Sequence, residues 1–356
     1  MTCATLRVAR NRARKPAVVV LARRRILQCL RASALREQHP DKRDLLARPP
    51  IGGARSGEHA PRMRAVSSPL PGMEKPLIKV AVPNKGALSE PAAEMLREAG
   101  YSQRSNGELA LMDEVNGVEF FYLRPRDIAV YVGEGTLDVG ITGRDMLLDS
   151  RAHAIEVMRL GFGRSKFRFA APLGRHISVD QLHGLRLATS YPGLVEAYLD
   201  DLGVATRLIA LDGAVETAIR LGVADVIADV VETGTTLREA GLELFGDPIL
   251  DSEAILICRS GAEPPSGLDQ LERRLNGVLV ARNYVMMDYD VTDALVEEAC
   301  AITPGLESPT VSPLAKQGWR AVRAMVPRAD AQQIMDDLWA LGARAILVTD
   351  IAACRI

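Results

Sequence analysis

From about residue 78 onward, short apolar runs alternate with stretches in which apolar positions recur every three or four residues, the rhythm of strands followed by helices. Residues 79–82 predict a strand ending at Pro83-Asn84-Lys85-Gly86. Ser89 is expected to cap a helix whose Ala92, Met95, Leu96 and Ala99 share one face before Gly100 stops it. Residues 118–123 predict a second strand, followed by Arg124-Pro125-Arg126-Asp127 and a helix to Val132. Residues 139–145, VGITGRD, again read as a strand that delivers polar groups at its carboxyl end, where open α/β sheets hold their ligands.

The run at 167–171 starts a second lobe. Strands are predicted at 185–189 and 206–210, with Tyr191-Pro192 and a helix to Leu202 between them. A strand at 254–258 precedes a polar, Pro-containing loop at 261–267. These elements predict two α/β lobes facing a cleft. The last seventy or so residues change rhythm: a strand at 284–289, a helix at 292–301 with Leu295, Val296 and Ala299 inward, an extended stretch at 307–313 and a strand at 320–326. Asp330 and Gln333 then resemble a capping box, Ile334, Met335, Leu338 and Leu341 form a buried stripe, and residues 345–349 close the order β-α-β-β-α-β, which is ferredoxin-like. A small module of this kind on an enzyme usually serves assembly or effector sensing.

Residues 216–237, ETAIRLGVADVIADVVETGTTL, carry the most specific chemistry. They read as a helix, a strand apolar enough to be covered on both faces, and a loop at 229–236 that opens another helix. A sharp turn at Thr233-Gly234 points amides and hydroxyls outward, and the unpartnered amides of a helix start favour an anion such as phosphate. Asp229 beside that cradle is repulsive to phosphate unless a cation or a sugar hydroxyl lies between. Asp-x-x-x-Thr-Gly-x-Thr after a strand therefore reads as a grip for a phosphorylated ribose; the plainer reading is a capped helix after a buried strand, with a surface Asp.

The overall balance, 44 Lys and Arg against 45 Asp and Glu in 356 residues, hides a split. Residues 1–73 hold 16 basic and 4 acidic side chains, leaving 28 and 41 for residues 74–356. The Arg/Ala/Pro-rich leader imitates an organellar transit peptide; an upstream stretch before Met73, or disorder, is the reading favoured here. Its apolar run at 16–22 is too short to span a membrane, and without interleaved aromatics it gives no case for nucleic-acid binding. Five cysteines and five histidines show neither CxxC nor HExxH spacing, which predicts a reducing cytoplasm and no structural metal.

The ordered set Glu216, Gly222, Ala224, Ile227, Asp229, Val230, Thr233, Gly234, Thr236 and Leu237 resembles the signature of the ATP phosphoribosyltransferase family, and the resemblance covers residues 77–356. Asp288-Tyr289-Asp290 and residues 303–310, TPGLESPT, are similar to stretches of its long form, which carries a C-terminal regulatory domain. The resemblance implies a two-lobed core like that of periplasmic solute-binding proteins, with lobe I at 74–166 and 252–282, lobe II at 167–251 and a regulatory domain at 283–356. It implies transfer of phosphoribosyl from phosphoribosyl pyrophosphate (PRPP) to N1 of ATP, Mg2+ carried largely by substrate phosphates, feedback inhibition by histidine, and a cytoplasmic hexamer built from dimers.

By the same resemblance, Asp229 takes ribose hydroxyls, Thr233, Gly234, Thr235 and Thr236 take the 5′-phosphate, and Glu216 belongs to the donor site. Glu232 departs from the small residue common in relatives and is left out of the binding set. Lys85 is assigned to pyrophosphate or triphosphate and Arg124 to phosphate. Asp145 serves the adenine or ribose side; for both Arg124 and Asp145 the plainer reading is an interstrand or interlobe salt bridge. From its place just past a strand end, Tyr191 reads as either an adenine platform or turn filler. Asp290 is expected to hold histidine, with Leu306, Ser308, Thr310 and Ala345 lining its pocket. Two other readings share these features: a two-lobed sensor or solute-binding protein without catalysis, and an enzyme using the same sugar donor with another base.

Overall fold

The computed structural model describes residues 77–105, 107–231 and 234–355. The basic leader, Glu232 and Thr233 lie outside the described residues. Lobe I begins with β1 (Ile78–Pro83), α1 (Ser89–Glu98), β2 (Ala110–Asp113), β3 (Val118–Leu123), α2 (Pro125–Gly133), β4 (Val139–Gly143), α3 (Arg144–Ser150) and β5 (Ala154–Arg159). Lobe II follows as β6 (Ser165–Pro172), β7 (Arg186–Thr189), α4 (Pro192–Leu202), β8 (Arg207–Ala210), α5 (Thr217–Arg220), β9 (Val226–Val231), α6 (Thr235–Glu239) and β10 (Leu242–Ser252). The chain then returns to lobe I through β11 (Ala254–Arg259) and α7 (Leu268–Asn283).

The first sheet has the order β2-β3-β1-β4-β11-β5 and the second β10-β6-β9-β7-β8. Alternation along the central strands explains why helices cover both faces. Val80 and Val82 of β1 pack with Met95 and Leu96 of α1, whereas Ala81 between them packs with Ile128 and Val132 of α2. In lobe II, Val226 and Ala228 of β9 face one core and Ile227 and Val231 the other. The chain passes between lobes twice, and the crossings run side by side because β6 and β10 pair antiparallel with Ser165 opposite Ser252. This is the two-lobed architecture expected from the resemblance.

The C-terminal module comprises β12 (Tyr284–Thr292), α8 (Val296–Ile302), β13 (Thr310–Pro313), β14 (Trp319–Pro327), α9 (Ala331–Leu341) and β15 (Arg344–Asp350). Its antiparallel sheet runs β13-β14-β12-β15, the ferredoxin-like arrangement. Val285, Met287, Tyr289 and Val291 alternate into a separate core with Leu338, and the Tyr289 hydroxyl meets Thr303 Oγ1 at 2.7 Å inside it.

Two expected caps are not formed. Ser89 is the first helical residue of α1 and its amide donates to the Gly86 carbonyl at 3.1 Å, so the turn at Gly86 rather than a side chain starts the helix. Asp330 has a right-handed helical backbone at the end of a 3-10 turn that runs into α9, and an extended residue is what side-chain capping needs. Gln333 instead donates to Asp337 at 2.9 Å. A capping box does form at Ser178 and Gln181, where none was expected.

The lobes meet where α3 approaches the start of α4. Asp149 accepts the Leu194 amide at 3.1 Å, and Arg151 reaches both Glu196, at 2.6 Å, and the Gly193 carbonyl, at 3.2 Å. Gly193 lies so close that a Cβ would collide with the Asp149 carbonyl oxygen. Forcing a methyl into a packed contact costs about 1–3 kcal/mol. Gly193→Ala is therefore expected to lower the thermal unfolding midpoint; an unchanged midpoint would mean that the lobes do not make this contact.

Candidate active site

Three parallel strands of lobe I, β3, β1 and β4, lie side by side, so their carboxyl ends share one edge. That edge presents Arg124, Asn84-Lys85-Gly86 and Arg144-Asp145. Lys85 and Arg124 are exposed. Asn84 donates to the Tyr122 carbonyl at 3.4 Å, while its Oδ1 is buried with no hydrogen-bond partner among the described residues. In lobe II, β7 and β9 are parallel neighbours, which brings Ser190-Tyr191 beside the segment that begins at Asp229.

Asp145 is buried at the start of α3, and Ser252 fixes it from both sides: the Ser252 hydroxyl donates to Asp145 Oδ1 at 2.8 Å, and the Asp145 amide donates back to Ser252 Oγ at 3.1 Å. Ser252 belongs to the return crossing, so this carboxylate is tied to the link between lobes. No sequence signal singled it out, since serine at a strand end is ordinary.

Tyr191 is buried and packs edge-on against Phe167, with ring centroids 5.1 Å apart. Burial pushes its hydroxyl well above the usual phenol range, and the carboxylate of Asp145 beside it pushes the same way. The Arg126 guanidinium sits over the ring, 4.2 Å from the centroid, donates to the Ser190 carbonyl at 2.7 Å and approaches Asp149 at 3.5 Å. Arg126 lies inside the Arg-Pro-Arg-Asp segment, yet only its neighbour Arg124 received a role from the sequence. Its contacts with Ser190 and Tyr191 of lobe II are what single it out, and those are tertiary facts.

Asp229 lies half-buried in β9, two residues before its end at Val231, and accepts the Val230 amide at 2.8 Å. Burial holds its carboxyl above the usual aspartate range; Glu216 and Asp145 push it further up, while the Val230 amide and Arg126 pull it down. Glu216, half-buried at the start of α5, makes no capping bond. Tyr191 and Asp229 are thus brought together beside Arg126, with Asp145 close to both and Glu216 close to Asp229, whereas Lys85 and Arg124 stand at the lobe I edge.

After Asp229 the chain turns at Gly234, whose φ of 72° suits glycine, and Leu237 anchors the following helix in the core. Thr235 and Thr236 are exposed, and Thr235 Oγ1 accepts Arg238 at 3.3 Å. Helix α6 has only five residues, so its macrodipole is small and any anion there would rely on the donors of the loop itself.

In the C-terminal module, Asp288 and Asp290 do share the sheet face away from the helices. Asp288 pairs with Arg323 at 2.6 Å, and Asp290 lies opposite Ala321. Ala345, at a φ of 50°, occupies the irregularity where the β15 register shifts between Asp288 and Asp290. Leu306, Ser308 and Thr310 are exposed along the segment leading into β13. The described residues hold no group of three or more His, Cys, Asp and Glu able to bind a metal ion.

A family model described as ATP phosphoribosyltransferase matches residues 124–277, and one described as HisG, C-terminal domain, matches residues 281–353. An ATP phosphoribosyltransferase of Streptomyces coelicolor is 63% identical over 285 residues, which are 79% of this chain and 100% of that protein. One from Pseudarthrobacter chlorophenolicus is 61% identical over 284 residues, with the same shares. Among solved structures, the ATP phosphoribosyl transferase (HisG:HisZ) complex from Thermotoga maritima is 28% identical with a TM-score of 0.47, over 56% of this chain and 99% of that one. With full-length relatives at this identity, and with the core and the C-terminal module both matched, the chain belongs to the ATP phosphoribosyltransferase family.

Proposed function

We propose that this cleft transfers the phosphoribosyl group of PRPP to N1 of ATP, the opening step of histidine biosynthesis. The bond from N1 to the anomeric carbon forms as the bond to pyrophosphate breaks, with inversion and a transition state of oxocarbenium character. Such a reaction needs no protein nucleophile. It needs two polyanions held in line and charge stabilised on the departing pyrophosphate.

The observation that supports this reading best is Asp229, a desolvated carboxylate from lobe II that meets Asp145 and Arg126 from lobe I. A half-buried carboxylate is a strong acceptor for paired ribose hydroxyls. The hydroxyls of Thr235 and Thr236, with the backbone of residues 233–236, take the 5′-phosphate. Glu216 supports the donor side, while Lys85 and Arg124 take pyrophosphate or triphosphate oxygens. Asn84 Oδ1 offers an acceptor at the same edge. Magnesium would be carried largely by the substrate phosphates and would neutralise charge on the departing pyrophosphate.

A binding protein without catalysis would share the two-lobed topology, but the identity of 61–63% to ATP phosphoribosyltransferases over their whole length weighs against it. The same proposal includes histidine binding near Asp290 in a regulatory module at 283–356, a catalytic lobe I at 74–166 and 252–282, a lobe II at 167–251, a hexamer built from dimers, and a cytoplasmic setting. Among the described residues no helix is long and apolar enough to cross a membrane.

Pyrophosphate release with ATP and PRPP varied separately tests the donor assignment. A charge-assisted hydrogen bond contributes about 1.5–3 kcal/mol, so Asp229→Ala should raise KM for PRPP roughly ten- to a hundredfold and leave that for ATP nearly unchanged; equal effects on both would contradict it. The folded Asp229 carboxyl protonates at a higher pH than free aspartate, and only its ionised form accepts from both hydroxyls. Affinity for PRPP should therefore fall as pH drops, at a pH above the ordinary aspartate range, and this acid limb should vanish in Asp229→Asn. Persistence of the limb in that variant would assign it to another group. A chain ending at residue 282 should keep some turnover and lose inhibition by histidine; retained inhibition would refute the assignment of the C-terminal module.

A further inference from the structure

Tyr191 offers a purine little free surface in the cleft. That residue is 6% exposed, with Phe167 in a T-shaped contact and the guanidinium of Arg126 over one face of the ring, whereas the Arg126 side chain is 42% exposed. The geometry points to Arg126, mounted on Tyr191, as the platform on which the adenine of the acceptor stacks. The inference rests on the reaction proposed above and names a specificity-determining residue for it.

A guanidinium is flat and weakly hydrated, and it stacks on π-systems on either side. Three contacts fix its plane here: the Ser190 carbonyl at 2.7 Å, Asp149 at 3.5 Å and the Tyr191 ring at 4.2 Å. A plane held before the ligand arrives has little rotamer entropy left to lose. Its charge is also balanced, because Asp149 faces it directly and Asp229 and Asp145 stand close to the same phenol. That matters for a nucleophilic purine, since an uncompensated cation over the ring would withdraw electron density from N1.

The stack is built across the cleft. Arg126 belongs to α2 of lobe I, and Ser190 and Tyr191 to lobe II, whose neighbouring strand β9 carries Asp229. The platform therefore exists only while the lobes are together, which links acceptor binding to the arrangement that also presents the donor site. Lysine would carry the charge but not the plane.

Titration calorimetry with AMP and with inorganic tripolyphosphate, alongside pyrophosphate-release kinetics, tests this on Arg126→Ala and Arg126→Lys in the full chain. Both variants should bind AMP about tenfold more weakly and show a similar rise in KM for ATP, with tripolyphosphate binding unchanged and a clearly smaller rise in KM for PRPP, because Arg126 also acts on the Asp229 carboxylate. Full recovery by lysine would overturn the proposal in favour of charge alone. An equal loss of tripolyphosphate would make Arg126 a phosphate ligand, and equal rises in both KM values would make it only a tie between lobes; either result overturns the platform. Wild-type chain that releases no pyrophosphate would refute the proposed reaction, while the AMP titrations would still decide the platform.

Discussion

Carboxylates withdrawn from water need a nearby cation or hydrogen-bond donors, and the cleft gives Asp149 and Asp229 the guanidinium of Arg126, while Asp145, beside the same Tyr191, is held by Ser252. No single lobe contains this set. Asp145, Asp149 and Arg126 come from the helices at the edge of lobe I, and Asp229 and Tyr191 from strand ends of lobe II. The electrostatic requirement and the interlobe contact are thus the same feature. Asp149 shows it most directly: burial raises its carboxyl above the usual range, and the Leu194 amide and Arg126 pull it back.

The linkage between lobes adds a second layer. Ser252 lies on the return crossing and holds Asp145 by two hydrogen bonds, while Arg144 beside it is bound by Glu156 and Glu253. A shift in the crossings would therefore move a carboxylate in the cleft. The C-terminal module has its own core of Val285, Met287, Tyr289 and Leu338, and it joins the rest of the chain through α7. Arg328 marks that junction by donating to the Arg282 carbonyl at 3.0 Å and to Asp350 at 2.7 Å.

Much of this was legible along the chain. Central strands such as β1, β4 and β9 are short, apolar and buried, and the polar groups at their carboxyl ends stood out against them. Alternation in β12 likewise set Asp288 and Asp290 on the face opposite Tyr289. Other elements gave weak signals. β5 is half-buried up to an exposed Arg159, β10 is interrupted between Phe245 and Leu250, and β2 has four residues with only Asp113 buried. The caps expected at Ser89 and Asp330 failed because capping depends on backbone conformation, which residue type only suggests. Among the candidate site residues, Asp229 was picked out by the chemistry of its strand and loop, Tyr191 by its place past a strand end, and Asp145 and Glu216 by the family pattern. Arg126 and Ser252 were missed because their importance comes from what the opposite lobe or the crossing brings to them.

The central claim is that the bend after β9 cups the phosphate of a sugar whose hydroxyls are held by Asp229. A crystal structure of the chain with PRPP and magnesium bound tests it most directly. The account predicts the 5′-phosphate within hydrogen-bond distance of residues 233–236 and the ribose hydroxyls on the Asp229 carboxylate. PRPP lodged elsewhere, with that bend empty, would contradict it.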